Sequence, residues 1–390
     1  MKFGREVIIT DAVRTPIGRG HPERGYFRDW HASTMLAHTY TALLDRTGLP
    51  SDQVGDIVAG CGSQFGEQGR NIARNAWLEA GLSIGVPGIT VERQCGAGQE
   101  GVALAAALVA SGVVDVAIGA GVEHMGHLSF GAIAETAERY GDPFSPQLRA
   151  RYDLVSQGES SELMAQRWQL SRVEQDEFSL RSHRRAQAAT ERGWFANEIA
   201  PVTIDGETIT RDQGIRPDTS MEQLAALKPA FDPEGSTTAG NASQVSDGAA
   251  AVLLATREAA ADHGLRARAR IVDHVAVGSD PVLMLAGPID ATRQLLDRNG
   301  LGQSDIGRYE INEAFATVPL AWMRELDVEP DRVNVAGGAI ALGHPLGCTG
   351  ARLFGTLLNE MERTDSQFGV VTMCCAGGQG TATLIELLRS

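Results

Sequence analysis

The stretch Val102-Ala103-Leu104-Ala105-Ala106-Ala107-Leu108-Val109-Ala110-Ser111-Gly112-Val113-Val114-Asp115-Val116-Ala117-Ile118-Gly119-Ala120-Gly121-Val122 is the most apolar part of the chain. Alanine and leucine fill its first half and suit a helix, whereas Val113 to Ile118 is β-branched and reads as a strand. Ser111, Gly112 and Asp115 interrupt it, so it predicts a buried helix followed by a buried strand, not a membrane span. A strand apolar on both faces needs helices on both sides of its sheet, which places the chain in the α/β class.

The same alternation runs upstream: strand 5–13, helix 33–47, strand 54–60, helix 70–80, strand 88–93, a helix after Cys95 and a strand at 114–121. From Gly121 to about Gly248 the chain becomes more charged and more helical. There Ser171-Arg172-Val173-Glu174 is a capping box opening a helix to about Glu191. This segment reads as an insertion. Strand character resumes at Ala249-Ala250-Ala251-Val252-Leu253-Leu254, and Arg270-Ile271-Val272 opens a second strand–helix series. The two series resemble each other: Ser51-Asp52-Gln53-Val54-Gly55 matches Ser304-Asp305-Ile306-Gly307, Cys95-Gly96-Ala97-Gly98 matches Cys348-Thr349-Gly350-Ala351, and Gly112-Val113-Val114 matches Gly369-Val370-Val371. A duplicated α/β half is expected, as 1–120 with 249–271, an insertion 121–248, and a second half 272–390.

With 43% hydrophobic and 21% charged residues, the 390-residue chain can bury a large core. Its 49 acidic and 34 basic residues leave a net charge of −15, which offers no electrostatic footprint for nucleic acid or an anionic membrane. Five cysteines without C-x2-C or Cys/His spacing indicate reduced thiols rather than disulfides or zinc. Met1-Lys2-Phe3-Gly4-Arg5-Glu6-Val7 lacks the apolar core of a signal peptide, and Leu388-Arg389-Ser390 is no peroxisomal address, so the expected compartment is the cytoplasm.

Four segments could carry chemistry. Gln94-Cys95-Gly96 places a thiol at a strand-to-helix turn, where a helix N-terminus favours thiolate; a buried cysteine at a tight turn is the equally weighted bland reading. Gly337-Gly338-Ala339-Ile340-Ala341-Leu342-Gly343-His344-Pro345 aims one imidazole from glycine-rich backbone, although alone it would be read as a satisfied loop histidine. Met373-Cys374-Cys375-Ala376-Gly377-Gly378-Gln379-Gly380 runs a strand into a turn. Its adjacent cysteines must face opposite ways, so at most one serves a given pocket. Asn312-Glu313-Ala314-Phe315 ends a strand in an amide and is uninformative by itself.

In this order and at these separations the four segments resemble the active-site loops of the thiolase family, closest to bacterial 3-ketoacyl-CoA thiolases of fatty-acid β-oxidation. Asp11-Ala12-Val13-Arg14-Thr15-Pro16, Gly121-Val122-Glu123-His124-Met125-Gly126-His127 and Thr238-Ala239-Gly240-Asn241-Ala242-Ser243 extend the likeness over essentially the whole chain.

The resemblance implies a duplicated five-layer α-β-α-β-α fold whose inserted loop domain covers coenzyme A. It implies CoA-dependent cleavage of a 3-ketoacyl-CoA to acetyl-CoA and a shortened acyl-CoA. Cys95 would be the acylated nucleophile, His344 its activator and Cys374 the acid and base. Asn312 would hold a water that, with His344, binds the thioester oxygen, and the backbone N–H groups of Cys95 and Ala376 would form a second oxyanion hole. Glu313 would position its loop. Ser243 is expected near the pantetheine arm, with Arg216 and Lys228 meeting the phosphates. Coenzyme A is substrate, no metal or redox cofactor is implied, and the expected partners are a second or fourth copy of the chain and a hydratase/dehydrogenase subunit.

Three positions depart from the family pattern: Ala376 stands where glycine is usual, Cys375 where an aliphatic residue is usual, and the segment after His127 leaves the acyl pocket unassigned. A biosynthetic acetoacetyl-CoA thiolase, a degradative enzyme for a bulky sterol-derived chain, and a non-catalytic acyl-CoA binder remain the alternatives.

Overall fold

The structure is a computed structural model that describes residues 4–389. The targeting readings at Met1–Phe3 and Ser390 lie outside those residues. Nine strands build the main sheet: β1 Val7–Arg14, β2 Asp56–Gly60, β3 Gly88–Val91, β4 Val116–His124, β5 Ser246–Thr256, β6 Ala269–Gly278, β7 Ile306–Ile311, β8 Phe368–Cys375 and β9 Gln379–Leu387. They lie in the order β7-β8-β9-β6-β1-β5-β4-β2-β3, with the short Gly18–Arg19 strand pairing β5 at one side.

The duplication is visible in this order. In the first half β2 is parallel to β4, and β4, β5 and β1 follow antiparallel. In the second, β7 is parallel to β8, and β8, β9 and β6 follow antiparallel. The halves meet where three residues of β1 pair with the start of β6, Val7 opposite Ile271 to Ile9 opposite Ala269. The register corrects one expected match. Asp56 pairs with Ala117 and Arg308 with Gly369, and 308 − 56 and 369 − 117 are both 252. Gly369-Val370-Val371 therefore corresponds to Ala117-Ile118-Gly119, not to Gly112-Val113-Val114.

That triplet is not strand at all. Gly112 ends helix α3, which follows helices α1 (Ala32–Thr47) and α2 (Ile72–Glu79) and spans Ala97–Ser111, by taking φ +77°. The Val113 N–H then bonds back to the Leu108 carbonyl at 3.0 Å, as a left-handed cap requires. Val113 is left 66% exposed, and the strand starts three residues later than its β-branched composition suggested.

Helices α4 (Gln157–Arg167) and α5 (Arg172–Glu191) lie in the inserted segment, followed by α6 (Gly287–Asn299), α7 (Thr317–Leu326) and α8 (Leu346–Thr364). The α5 capping box forms as read, with the Glu174 N–H donating to Ser171 Oγ and the Ser171 N–H to Glu174 Oε2. Five layers result: α1 and α2 outside the first half-sheet, α3 with α8 between the half-sheets, and α6 with α7 outside the second. The insertion packs its α4 on α7 of the second half.

Helices α3 and α8 are the pseudo-equivalent pair, with Cys95 in the turn just before α3 and Cys348 in the first turn of α8, and they cross with almost no side chain between them. A Cβ on Gly350 would sit 2.1 Å from the Gln99 nitrogen, and one on Gly121 would sit 1.9 Å from the Gly347 carbonyl oxygen. Size, not turn formation, selects these glycines. Gly121 and Gly248 lie inside β4 and β5, and 271/272 lies inside β6. Gly121→Ala must drive backbone from backbone. We expect it to cost about 3 kcal/mol of stability, seen as a lowered urea midpoint by circular dichroism.

Among the described residues no helix is long and apolar enough to cross a membrane.

Candidate active site

The first loop brings Cys95 to the start of α3 through a 3-10 turn, Gln94–Gly96, with Gln94 at φ +48°. The sulfur is 2% exposed. Burial pushes its thiol up to about 11, and the nearby Glu123 carboxylate acts in the same direction. Three donors oppose this: the Gln157 side chain, with Nε2 at 3.8 Å, and the backbone N–H groups of Cys95 and Ala376. The two amides expected to form an oxyanion hole are thus both neighbours of the sulfur. Ala376 is not among the residues with positive φ; Gly377 (+79°) and Gly378 (+73°) make the left-handed turn in its place, so alanine is tolerated there.

His344 follows Gly343, whose φ is +111°. The histidine backbone N–H donates to the Gln244 carbonyl at 3.1 Å and to Ser246 Oγ at 3.2 Å, fixing the loop against β5. Thr349 Oγ1 spends its proton on the Pro345 carbonyl at 2.9 Å, so at 2.7 Å it accepts from His344 Nδ1–H. The Nε2 lone pair is then left to receive the Asn312 side-chain N–H at 3.2 Å. Burial, with the positive charge of Arg352 second, lowers the imidazole to about 3 and keeps it neutral at physiological pH. Asn312 Oδ1 is buried without a protein partner among the described residues, an acceptor turned into the site. No hydrogen bond joins His344 to Cys95; the two meet different donors.

Cys374, next to last in β8, is fully buried, and burial together with the neighbouring Cys95 raises its thiol well above the usual range. Cys375 faces the other way, as strand alternation demands, so closely that a Cβ on Gly96 would lie 2.4 Å from its sulfur. Burial raises Cys348 to about 12 and also lifts Cys61 well above the usual thiol range. Glu313 accepts from Ser182 Oγ, Asn334 Nδ2 and the Ile340 N–H. It ties helix α5 to the histidine loop rather than reaching the thiols.

Beside His344 opens a cavity of about 550 Å³ that is lined by Ser243 and largely by apolar side chains, including Met125, Phe130, Phe231, Val245 and Phe315. The Ser243 N–H is anchored on the Ala314 carbonyl at 2.9 Å. Arg216 and Lys228 do not line this cavity. Arg216 is exposed, with its backbone N–H on His183 Nδ1 at 3.2 Å and its guanidinium near Arg19, and Lys228 is exposed too.

Gln157, Thr349 and Phe231 were not anticipated. Gln157 could have been found: Ser156-Gln157-Gly158-Glu159 repeats the capping pattern read at Ser171–Glu174, and it places Gln157 in the first turn of α4. Glu67, His124 and His127 also bring ligand-type atoms within 4.8 Å of one another, a grouping that local spacing could not show. Their ring nitrogens are engaged by the Phe27 and Arg28 carbonyls and by Asp247 and Glu67. They read as a structural tie.

A family model described as "Thiolase, N-terminal domain" matches residues 7–258, and one described as "Thiolase, C-terminal domain" matches residues 265–387. The chain is 45% identical over 389 residues to the steroid 3-ketoacyl-CoA thiolase FadA6 of Mycobacterium tuberculosis, covering 98% of this chain and 94% of that protein. It is 46% identical to a 3-ketoacyl-CoA thiolase of Serratia proteamaculans, covering 97% of this chain and 99% of that one. The crystal structure of the Bacillus anthracis acetyl-CoA acetyltransferase matches 100% of both chains with a TM-score of 0.89 at 34% identity.

Proposed function

This chain belongs to the thiolase family, and from that premise we propose that it is a degradative 3-ketoacyl-CoA thiolase, an acyltransferase that cleaves 3-ketoacyl-CoA with CoA. What supports the reading is the buried Cys95 thiol, which the Gln157 amide reaches at 3.8 Å and beside which the backbone N–H groups of Cys95 and Ala376 lie, with the His344–Asn312 pair at 3.2 Å completing the polar groups of the site. Two such backbone donors stabilise the alkoxide formed when a thiolate attacks a carbonyl, and one is worth about 2.7–4 kcal/mol where water is excluded.

In this mechanism His344 Nε2 takes the Cys95 proton, and the thiolate attacks the 3-keto carbon. As the C2–C3 bond breaks, its electron pair enters the acetyl-CoA enolate. The enolate oxygen meets protonated His344 and the Asn312 amide, directly or through a water. Cys374 gives C2 its proton, leaving the acyl group on Cys95. A second CoA loses its thiol proton to Cys374, its thiolate takes the acyl chain, and the departing Cys95 thiolate recovers its proton from His344 for the next cycle. Ser243 and the apolar cavity carry the pantetheine arm and acyl chain. Coenzyme A is substrate throughout, and these steps call on no metal or redox group.

We also infer a homodimer or homotetramer working in the cytoplasm, open to a hydratase/dehydrogenase partner. Support comes from β3, an edge strand of four residues with Ile89 53% exposed, which offers unpaired backbone to a second copy.

A series of 3-ketoacyl-CoA substrates of increasing chain length tests the function, read as loss of the Mg2+-enolate absorbance on adding CoA. The apolar lining predicts a higher kcat/KM for longer acyl groups than for acetoacetyl-CoA. Preference for acetoacetyl-CoA would favour the biosynthetic reading, and binding without turnover of any chain would leave an acyl-CoA binder.

A further inference from the structure

The inserted segment supplies more than a cover for the cavity. Its helix α4 begins at Gln157, and the amide of that residue reaches across to the sulfur of Cys95, 3.8 Å from Nε2. That distance is within hydrogen-bonding range for sulfur, and the other two donors there are backbone groups that no side-chain exchange can remove.

The amide is held in place by its turn. Ser156 caps α4 from outside, receiving the Glu159 N–H at 3.2 Å while its own N–H donates to Glu159 Oε2 at 2.7 Å. Gly158 lies flat on Phe231, where a Cβ would come within 2.1 Å of the ring. Phe231 in turn stands edge-on to Phe315, with centroids 5.9 Å apart. The first turn is therefore clamped between a capping box and an aromatic pair, which leaves the Gln157 side chain directed along the cavity wall toward the thiol.

We propose that Gln157 is a further catalytic residue, whose side-chain N–H donates to the Cys95 sulfur and stabilises it as thiolate both in the attack and when the acyl group leaves. The proposal rests on the reading of Cys95 as nucleophile. Charge builds on this sulfur in both half-reactions, and a donor gains strength as its acceptor becomes anionic. Acylation removes the charge and releases the amide, so the bond is strongest when thiolate is needed. The titratable groups near the sulfur on the other elements work against thiolate or are neutral: Glu123 of β4 is a carboxylate, and the thiols of Cys374 and, from the opposite face of β8, Cys375 are raised by burial.

The test compares Gln157→Met, which keeps the length but removes the donor, with Gln157→Glu, which keeps the shape but presents only acceptors and a charge. The readout is the second-order rate of Cys95 carboxamidomethylation by iodoacetamide between about pH 7 and 9.5, followed by peptide mass spectrometry. Loss of a bond to a charged acceptor predicts a rate roughly tenfold lower for Met at each pH, and lower again for Glu. A residue that merely shapes the pocket predicts Glu close to Gln. Equal rates for native and Met proteins, or for native and Glu proteins, would overturn the proposal. Because alkylation requires no turnover, this failure is separable from that of the underlying reading, which falls only if Cys95→Ala still performs thiolysis.

Discussion

Cys95→Ala is expected to abolish thiolysis and the covalent acyl-enzyme together, a loss on the order of 10⁶-fold by analogy with removal of a nucleophile that works with its base. Mass spectrometry of the native protein incubated with acyl-CoA should show one added acyl group, on the Cys95 peptide, and none in the variant. The five thiols make this a discriminating measurement. Cys348 lies in the first turn of the pseudo-equivalent helix and is as buried as Cys95, so the duplication alone does not choose between them. Donors choose. The Cys95 sulfur has the Gln157 amide at 3.8 Å and two neighbouring backbone N–H groups, whereas Cys348 has the charges of Arg352 and Arg14 on its side. With its thiol near 11, Cys95 rests protonated, and its alkylation should quicken about tenfold per pH unit through the neutral range. Labelling of Cys348 or Cys61 before Cys95, with activity retained, would place the nucleophile elsewhere.

Much of this was legible before any coordinates, for identifiable reasons. Strand–helix alternation follows from side-chain chemistry over ten or more residues, so most of the elements read near 5–13, 33–47 and 171–191 fall within a few positions of their observed ends. The thiols and imidazole of the four loops are sequence-local groups whose order along the chain is itself a signature. What escaped depends on contacts between distant segments. Val113 and Val114 have strand composition but are claimed by the cap of the preceding helix. Gly121 and Gly248 look like punctuation, yet they are close-approach positions inside strands. The donor on Cys95 comes from Gln157, 62 residues away, and the tautomer of His344 depends on where Thr349 sends its one proton. A one-dimensional reading sees the reactive atoms better than the groups that tune them.

Cys374→Ala should separate the two halves of the chemistry. The variant is expected to accept an acyl group on Cys95 from a simple acyl-CoA while losing carbon–carbon cleavage by roughly 10²–10⁴-fold, the usual contribution of a positioned acid or base. The physical basis is the environment of the thiol. Burial and the adjacent Cys95 raise it well above its ordinary value, so at rest it is a neutral acid with a proton to give to C2 of the enolate. Once it has given that proton it is a strong base, suited to drawing one from the incoming CoA, and the same displacement serves both steps. Acylation from acyl-CoA breaks a carbon–sulfur bond and creates no carbanion, which is why it should survive. Cys375→Ala is the internal control: that sulfur is turned toward Gly96 and Thr381, and its removal should leave the ratio of cleavage to acylation within a factor of a few. Equal loss of both steps in Cys374→Ala would make the residue structural, and normal cleavage would require another acid, for which the described cavity offers only His344.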